Sequence, residues 1–153
     1  SLDLFGFLFG NILAVTKLDL VLIWILGAVE LLAIRYFYKP LLAITFDEEA
    51  AKARGLPVAK LNGMVMLLAA FTVALAMRMV GVLLISSLMV IPVAVGMRLA
   101  SSFRNFLIIA SLTGMISVIL GLLLAAAFNL APGGSTVLVS LGLLGLSFLY
   151  KRA

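Results

Sequence analysis

An all-α, polytopic membrane helix bundle of about five transmembrane helices is the fold class this sequence predicts, and three observations predict it. Of its 153 residues, 65% are apolar and only 11% charged, with a mean hydropathy of +1.34. A soluble domain is nearer half apolar and a quarter charged, and a disordered chain is poor in Leu, Val and Ile. The charges stand at intervals that leave uncharged runs of membrane-crossing length. Lys and Arg also collect on alternate connections, the asymmetry that orients membrane proteins.

The first apolar stretch, Leu4 to Thr16, is too short to cross a hydrocarbon core about 30 Å thick, and reads as a re-entrant or interfacial segment. No basic region followed by a small-residue cleavage site opens the chain, so no signal peptide is expected. The start at Ser1 is read as a position partway through a longer protein. The first span, about residues 20–38, is apolar apart from Glu30 and Arg35, with Trp24, Tyr36 and Tyr38 suited to the two interfaces.

Residues 39–60 form the one sizeable polar connection, and a short helix is written into it. Thr45 with Glu48 has capping-box spacing, and Asp47 is an alternative N-cap. Glu48 and Glu49 put negative charge at the helix's positive end, with Lys52 and Arg54 in its last turn. Gly55 can take the left-handed conformation that closes a helix, and Pro57 keeps it from resuming. So short a helix is marginal alone in water and needs a support. It either rests on lipid headgroups or docks on a cytoplasmic partner; the low-profile Ala50, Ala51 and Ala53 and the acidic start favour docking.

Between Lys60 and Arg78 lie 17 uncharged residues, between Arg78 and Arg98 another 19, and between Arg104 and Lys151 a run of 46. The first two runs give spans 61–77 and 79–97. The third holds two, 106–128 and 135–150, divided at Asn129-Leu130-Ala131-Pro132-Gly133-Gly134, where Pro removes a backbone donor and paired Gly favours a turn. With the 39–60 loop inside, Arg35, Lys39, Lys52, Arg54, Lys60, Arg98, Arg104, Lys151 and Arg152 are cytoplasmic and only Lys17 and Arg78 lie outside. Losing one span would scramble that alternation, so the division and the orientation support each other.

Zero Cys and zero His remove disulfides, thiolate chemistry, imidazole bases and the commonest metal ligands. The net charge of +5 is spread between hydrophobic runs rather than gathered on one water-facing surface, which argues against nucleic acid. No catalytic residue is assigned. No Gly-x-x-x-x-Gly-Lys-Ser/Thr loop occurs, so the chain has no such cradle for nucleotide phosphates.

The segment Phe46-Asp47-Glu48-Glu49-Ala50-Ala51-Lys52-Ala53-Arg54-Gly55-Leu56-Pro57 closely resembles the coupling helix of zinc/manganese/iron ABC-importer permeases. Three further blocks agree in order. They are Leu8-Phe9-Gly10-Asn11-Ile12-Leu13-Ala14-Val15, then Val80-Gly81-Val82-Leu83-Leu84 running on to Met89-Val90-Ile91-Pro92, and Pro132-Gly133-Gly134-Ser135-Thr136-Val137-Leu138. The resemblance covers residues 1–153 and looks like the C-terminal half of a family member's transmembrane domain, with its coupling helix at about 46–55. It implies a permease homodimer in a bacterial inner membrane, moved by a separate ABC ATPase subunit that hydrolyses ATP. An extracytoplasmic metal-binding protein would supply a divalent metal, zinc or manganese, as cargo, and this chain would bind no cofactor of its own. Phe46, Asp47, Glu48, Ala50 and Gly55 would lie on or close the helix that enters the ATPase.

Pathway candidates are fewer. Glu30 lies near the middle of a span, where an ionised carboxyl is costly without a partner or a wet cavity. It either lines the route or pairs with a polar group elsewhere, and the resemblance assigns it no role. Pro92 frees the carbonyl of Leu88, and Ser86 and Ser87 lie nearby; they either line a broken-helix pathway or form a packing kink with serines bonded to their own backbone. Ser117, Gly121 and Ala125 recur every four positions and suit close helix packing. Arg78 snorkels to headgroups and the seven Met residues are filler. Other classes remain as alternatives: a stand-alone channel or secondary ion transporter, and an ABC permease for iron chelates. The metal's coordination site is not readable, since no clustered carboxylates define one.

Overall fold

The computed structural model describes residues 14–150 and, before them, only Leu4 and Leu8. The expected re-entrant segment from Leu4 and the terminal Lys151 and Arg152 thus lie largely outside the described residues. Among those described, the fold is all-α with no strand. Val15–Leu75 forms one unit, and the residues from Ala76 onward belong to a second.

In the first unit, Thr16 starts helix α1 (Lys17–Tyr36) through a complete capping box. Its hydroxyl accepts from the Asp19 N–H at 3.2 Å, and the Asp19 carboxyl accepts from the Thr16 N–H at 3.0 Å. At Phe37 the chain bends by 71° into helix α2 (Tyr38–Phe46). Asp47 then starts helix α3 (Glu48–Ala53), and helix α4 (Val58–Val80) follows Pro57 and runs across the boundary between units. The polar loop expected at 39–60 is therefore mostly helical. Its first half, including Pro40 in the opening turn of α2, continues the helical course after the bend.

In the second unit, Gly81 ends α4 and opens helix α5 (Val82–Leu99), with a φ of +83° that an L-residue with a side chain rarely adopts. Ser102 caps helix α6 (Phe103–Phe128) by accepting from the Asn105 N–H at 3.3 Å. Asn129 ends it in the left-handed conformation, φ +51°. Helix α7 (Pro132–Tyr150) begins at Pro132, a residue pre-set for the first helical position. The hexapeptide break is thus narrower than its sequence suggests, because Gly133 and Gly134 belong to the first turn of α7 rather than to a turn between helices.

Helices α4, α5, α6 and α7 are each long and apolar enough to cross a membrane, and α1 with α2 passes the same test as one broken span or re-entrant loop. The burial pattern inverts that of a soluble protein. Leu31, Leu32, Trp24 and Phe128 are exposed, while the side chains buried on α6 and α7 are small or hydroxylic: Thr113, Ser117, Gly121 and Ala125 on one, Gly133, Ser135, Thr136, Ser140 and Ser147 on the other. In lipid there is no gain from hiding Leu, so helices associate through close backbone approach. The hydroxyls cost little because each donates to its own helix, as Ser117 does to Thr113 O at 2.7 Å and Ser140 to Thr136 O at 2.8 Å.

Candidate functional site

The segment with the strongest local design is α2–α3, which hangs between the two long helices α1 and α4. Two caps were possible in the sequence, and the chain uses Asp47. Its extended backbone (φ −156°, ψ 101°) lets Oδ1 accept from the Ala50 N–H at 2.9 Å. Thr45 is not the cap; it belongs to α2, and its hydroxyl donates to Leu41 O at 2.8 Å. Glu48 and Glu49 occupy the first turn, and Glu48 pairs with Lys52 at 3.1 Å. That pair is more than half exposed on the lysine and contributes only about 0.3–0.5 kcal/mol.

Gly55 closes the helix at φ +81°. Its N–H donates to Lys52 O at 2.9 Å and the Leu56 N–H to Ala51 O at 3.2 Å, a termination that satisfies the last carbonyls. Inward, Ala51 is 1% exposed, and with Val58 and Leu61 it makes up the buried apolar side chains of this unit among the described residues. Outward, Phe46 is 76% exposed, and Asp47, Glu48, Glu49, Lys52 and Arg54 are exposed with it. Phe46, Asp47, Glu48, Ala50 and Gly55 are thus brought into one short capped ridge, with an unsheltered aromatic ring at its N-terminal edge.

Glu30 lies on α1, half-buried, and receives a hydrogen bond from the Thr72 hydroxyl of α4. The same hydroxyl reaches Leu68 O at 2.9 Å. Beside them a groove of about 170 Å³ runs between α1, α2 and α4, lined by Glu30, Ala33, Leu41, Met64, Leu68 and Ala69 among others. Thr72 is the partner that sequence reasoning missed. It lies 42 positions away, and a lone hydroxyl inside an apolar span was the one signal available.

In the second unit, Ser86 donates to Val82 O at 2.8 Å and Ser87 to Leu83 O at 2.9 Å, so both hydroxyls are bonded to their own helix. Pro92 is buried inside α5, facing Gly114 of α6. Among the described residues no three His, Cys, Asp or Glu side chains cluster to hold a metal ion.

Residues 1–151 match the model of the ABC 3 transport family. The chain is 39% identical over 150 residues to the high-affinity zinc uptake system membrane protein ZnuB of Haemophilus influenzae, covering 98% of this chain and 57% of that protein. It is 36% identical to the manganese transport system membrane protein MntC of Halalkalibacterium halodurans, covering 99% of this chain and 52% of that one. Among solved structures it is similar to a chain of PsaBC from Streptococcus pneumoniae in complex with Fab, with a TM-score of 0.89, 38% identity, and coverage of 97% and 53% respectively. The chain spans about half the length of the relatives it matches.

Proposed function

We infer the function from one premise: this chain belongs to the ABC-3 transport family, as a multi-pass membrane protein. It is the C-terminal part of the membrane permease of an ATP-driven importer of divalent metal ions, zinc or manganese. The observation that carries this reading is the family match over residues 1–151, joined by relatives whose names specify zinc and manganese transport.

In this reading the permease hydrolyses nothing. The α2–α3 ridge docks into a separate ABC ATPase, with Phe46 as the buried anchor and the acidic turn of Asp47, Glu48 and Glu49 beside it. A closed, capped helix suits this task because it moves as one piece: the Asp47 cap and the Gly55 closure leave its ends no slack. Two permeases enclose the route, and an extracytoplasmic metal-binding protein delivers the ion. The 39–60 segment and the C-terminus face the cytoplasm of a bacterial cell whose inner membrane holds the complex, the side to which nine of eleven basic residues fall.

The test is a pull-down in detergent of the full-length permease, wild type and Gly55→Val, for its ATPase subunit. At φ +81° a β-branched side chain is strained by about 1–2 kcal/mol, while nothing within 4 Å blocks the added atoms. Insertion is therefore expected to survive and docking to weaken. Recovery of no ATPase with the folded wild type would sink the importer reading in favour of a stand-alone channel or secondary transporter.

A further inference from the structure

We propose that Glu30 and Thr72 form a reversible latch that ties α1 to α4, so that displacement of the α2–α3 ridge is passed into the membrane-crossing helices. The proposal rests on the importer reading for the origin of that displacement. The latch residues act by position and touch no cargo.

Connectivity supplies the first argument. Along the chain the ridge is joined to the long helices at its two ends, through the 71° bend at Phe37 into α1 and through Gly55-Leu56-Pro57 into α4. A push on α3 is passed along the chain to α1 at one end and to α4 at the other, and a polar bond between those two helices helps them respond together. Glu30 and Thr72 join them, six residues before the end of α1 and fourteen after the start of α4.

Thr72 differs from the other helix hydroxyls. Ser86, Ser87, Thr113, Ser117 and Ser140 each donate to a carbonyl of their own helix. Thr72 has that same option in Leu68 O, and in addition reaches the Glu30 carboxyl of another helix. A hydroxyl has one proton, so it serves one acceptor fully at a time. Released from Glu30, it falls back on Leu68 O and α4 is left with no orphaned donor. The link can thus open and close without disturbing the helix that carries it, unlike a permanent staple.

Glu30 gives the closed state its preference. Among the described residues no Lys or Arg forms an ion pair with it, and the groove beside it is walled by Ala33, Leu41, Met64, Leu68 and Ala69. A carboxyl group at membrane depth without a partner is unfavourable, so the Thr72 hydroxyl holds it. The groove itself gives Leu41 of α2 room to shift against α1 and α4 without overpacking.

The test uses the full-length permease with its ATPase in proteoliposomes, measuring zinc or manganese taken up per ATP hydrolysed. Thr72→Val removes the hydroxyl and is expected to lower the ratio on the order of tenfold, within the range of measured site-to-site couplings. Thr72→Ser and Glu30→Gln, which keep a hydroxyl and an acceptor, are expected to hold it near wild type. Glu30→Ala combined with Thr72→Val should be no worse than either alone. A wild-type ratio in Thr72→Val overturns the latch; so does loss in Glu30→Gln with Thr72→Val intact, which would make Glu30 a cation ligand instead. A second measurement needs no ATPase. In the full-length permease, with any Cys outside this Cys-free chain replaced, spin labels at Leu32→Cys of α1 and Leu67→Cys of α4, both exposed, report the separation of the two helices. The latch predicts a broader distance distribution in Thr72→Val than in wild type or Glu30→Gln, and an unchanged one refutes it. If no ATPase copurifies, the importer reading fails, while the distances still decide whether the pair joins the helices.

Discussion

Gly121→Ala adds one methyl group at the tightest helix crossing of the second unit. A Cβ built at Gly121 falls inside the contact radius of the Thr136 Cα and Oγ1, and only 2.7 Å from its Cβ. Carbon atoms in contact sit about 3.5–4.0 Å apart, so α6 and α7 must part by roughly 1 Å at this point. Thr136 Cα is backbone and cannot rotate away, which puts the cost at the upper end of the usual overpacking range, about 3 kcal/mol. The gain in helix propensity on replacing Gly by Ala returns about 1 kcal/mol. The expected net loss is about 2 kcal/mol, or roughly 30-fold in the folded-to-unfolded ratio. The assay is denaturant or thermal unfolding of the full-length permease in mild detergent. Gly142→Ala, where nothing lies within 4 Å of the added carbon in this chain, serves as the comparison. Equal stability of Gly121→Ala and Gly142→Ala would refute the argument that backbone proximity holds α6 to α7.

Four other outcomes are expected. Asp47→Ala removes the cap of α3, costs that helix about 1 kcal/mol, and should weaken ATPase recovery in the pull-down, with Asp47→Asn retaining most of it. Lys52→Ala breaks an exposed pair and should change thermal stability by less than about 0.5 kcal/mol, a difference that shrinks further as salt is added. The Arg98 guanidinium of α5 lies 3.5 Å over the Phe148 ring of α7, so a double-mutant cycle of Arg98→Gln and Phe148→Leu should give a coupling of about 0.5–2 kcal/mol; additive effects would show that the stacking contributes nothing. Asn129→Val places a β-branched residue at φ +51° and should lower the unfolding midpoint, whereas Asn129→Gly should not.

The sequence by itself determined the class of this protein. Charge spacing, the solvent preference of its side chains and capping chemistry are local, and they suffice to mark the long apolar helices, the Gly55 closure and the break that begins at Asn129, though not α2, whose residues read as part of a polar connection. The Ser117-Gly121-Ala125 stripe was legible for the same reason, since a period of four on a helix names a face without naming its neighbour. What it could not determine was which residue lies across from which. Thr45 carried the capping-box spacing and Asp47 was the alternative cap, until the course of α2 drew Thr45 into a helix and left Asp47 extended. Pro132 read as part of a break, yet it opens α7, because the same fixed φ serves a turn or a first helical turn. The Glu30–Thr72 hydrogen bond joins positions 42 apart, and no local rule reaches that far. In lipid, apolar surface draws every helix equally to the solvent, so helix partners are chosen by shape and by single polar contacts, and those exist only once the chain has folded.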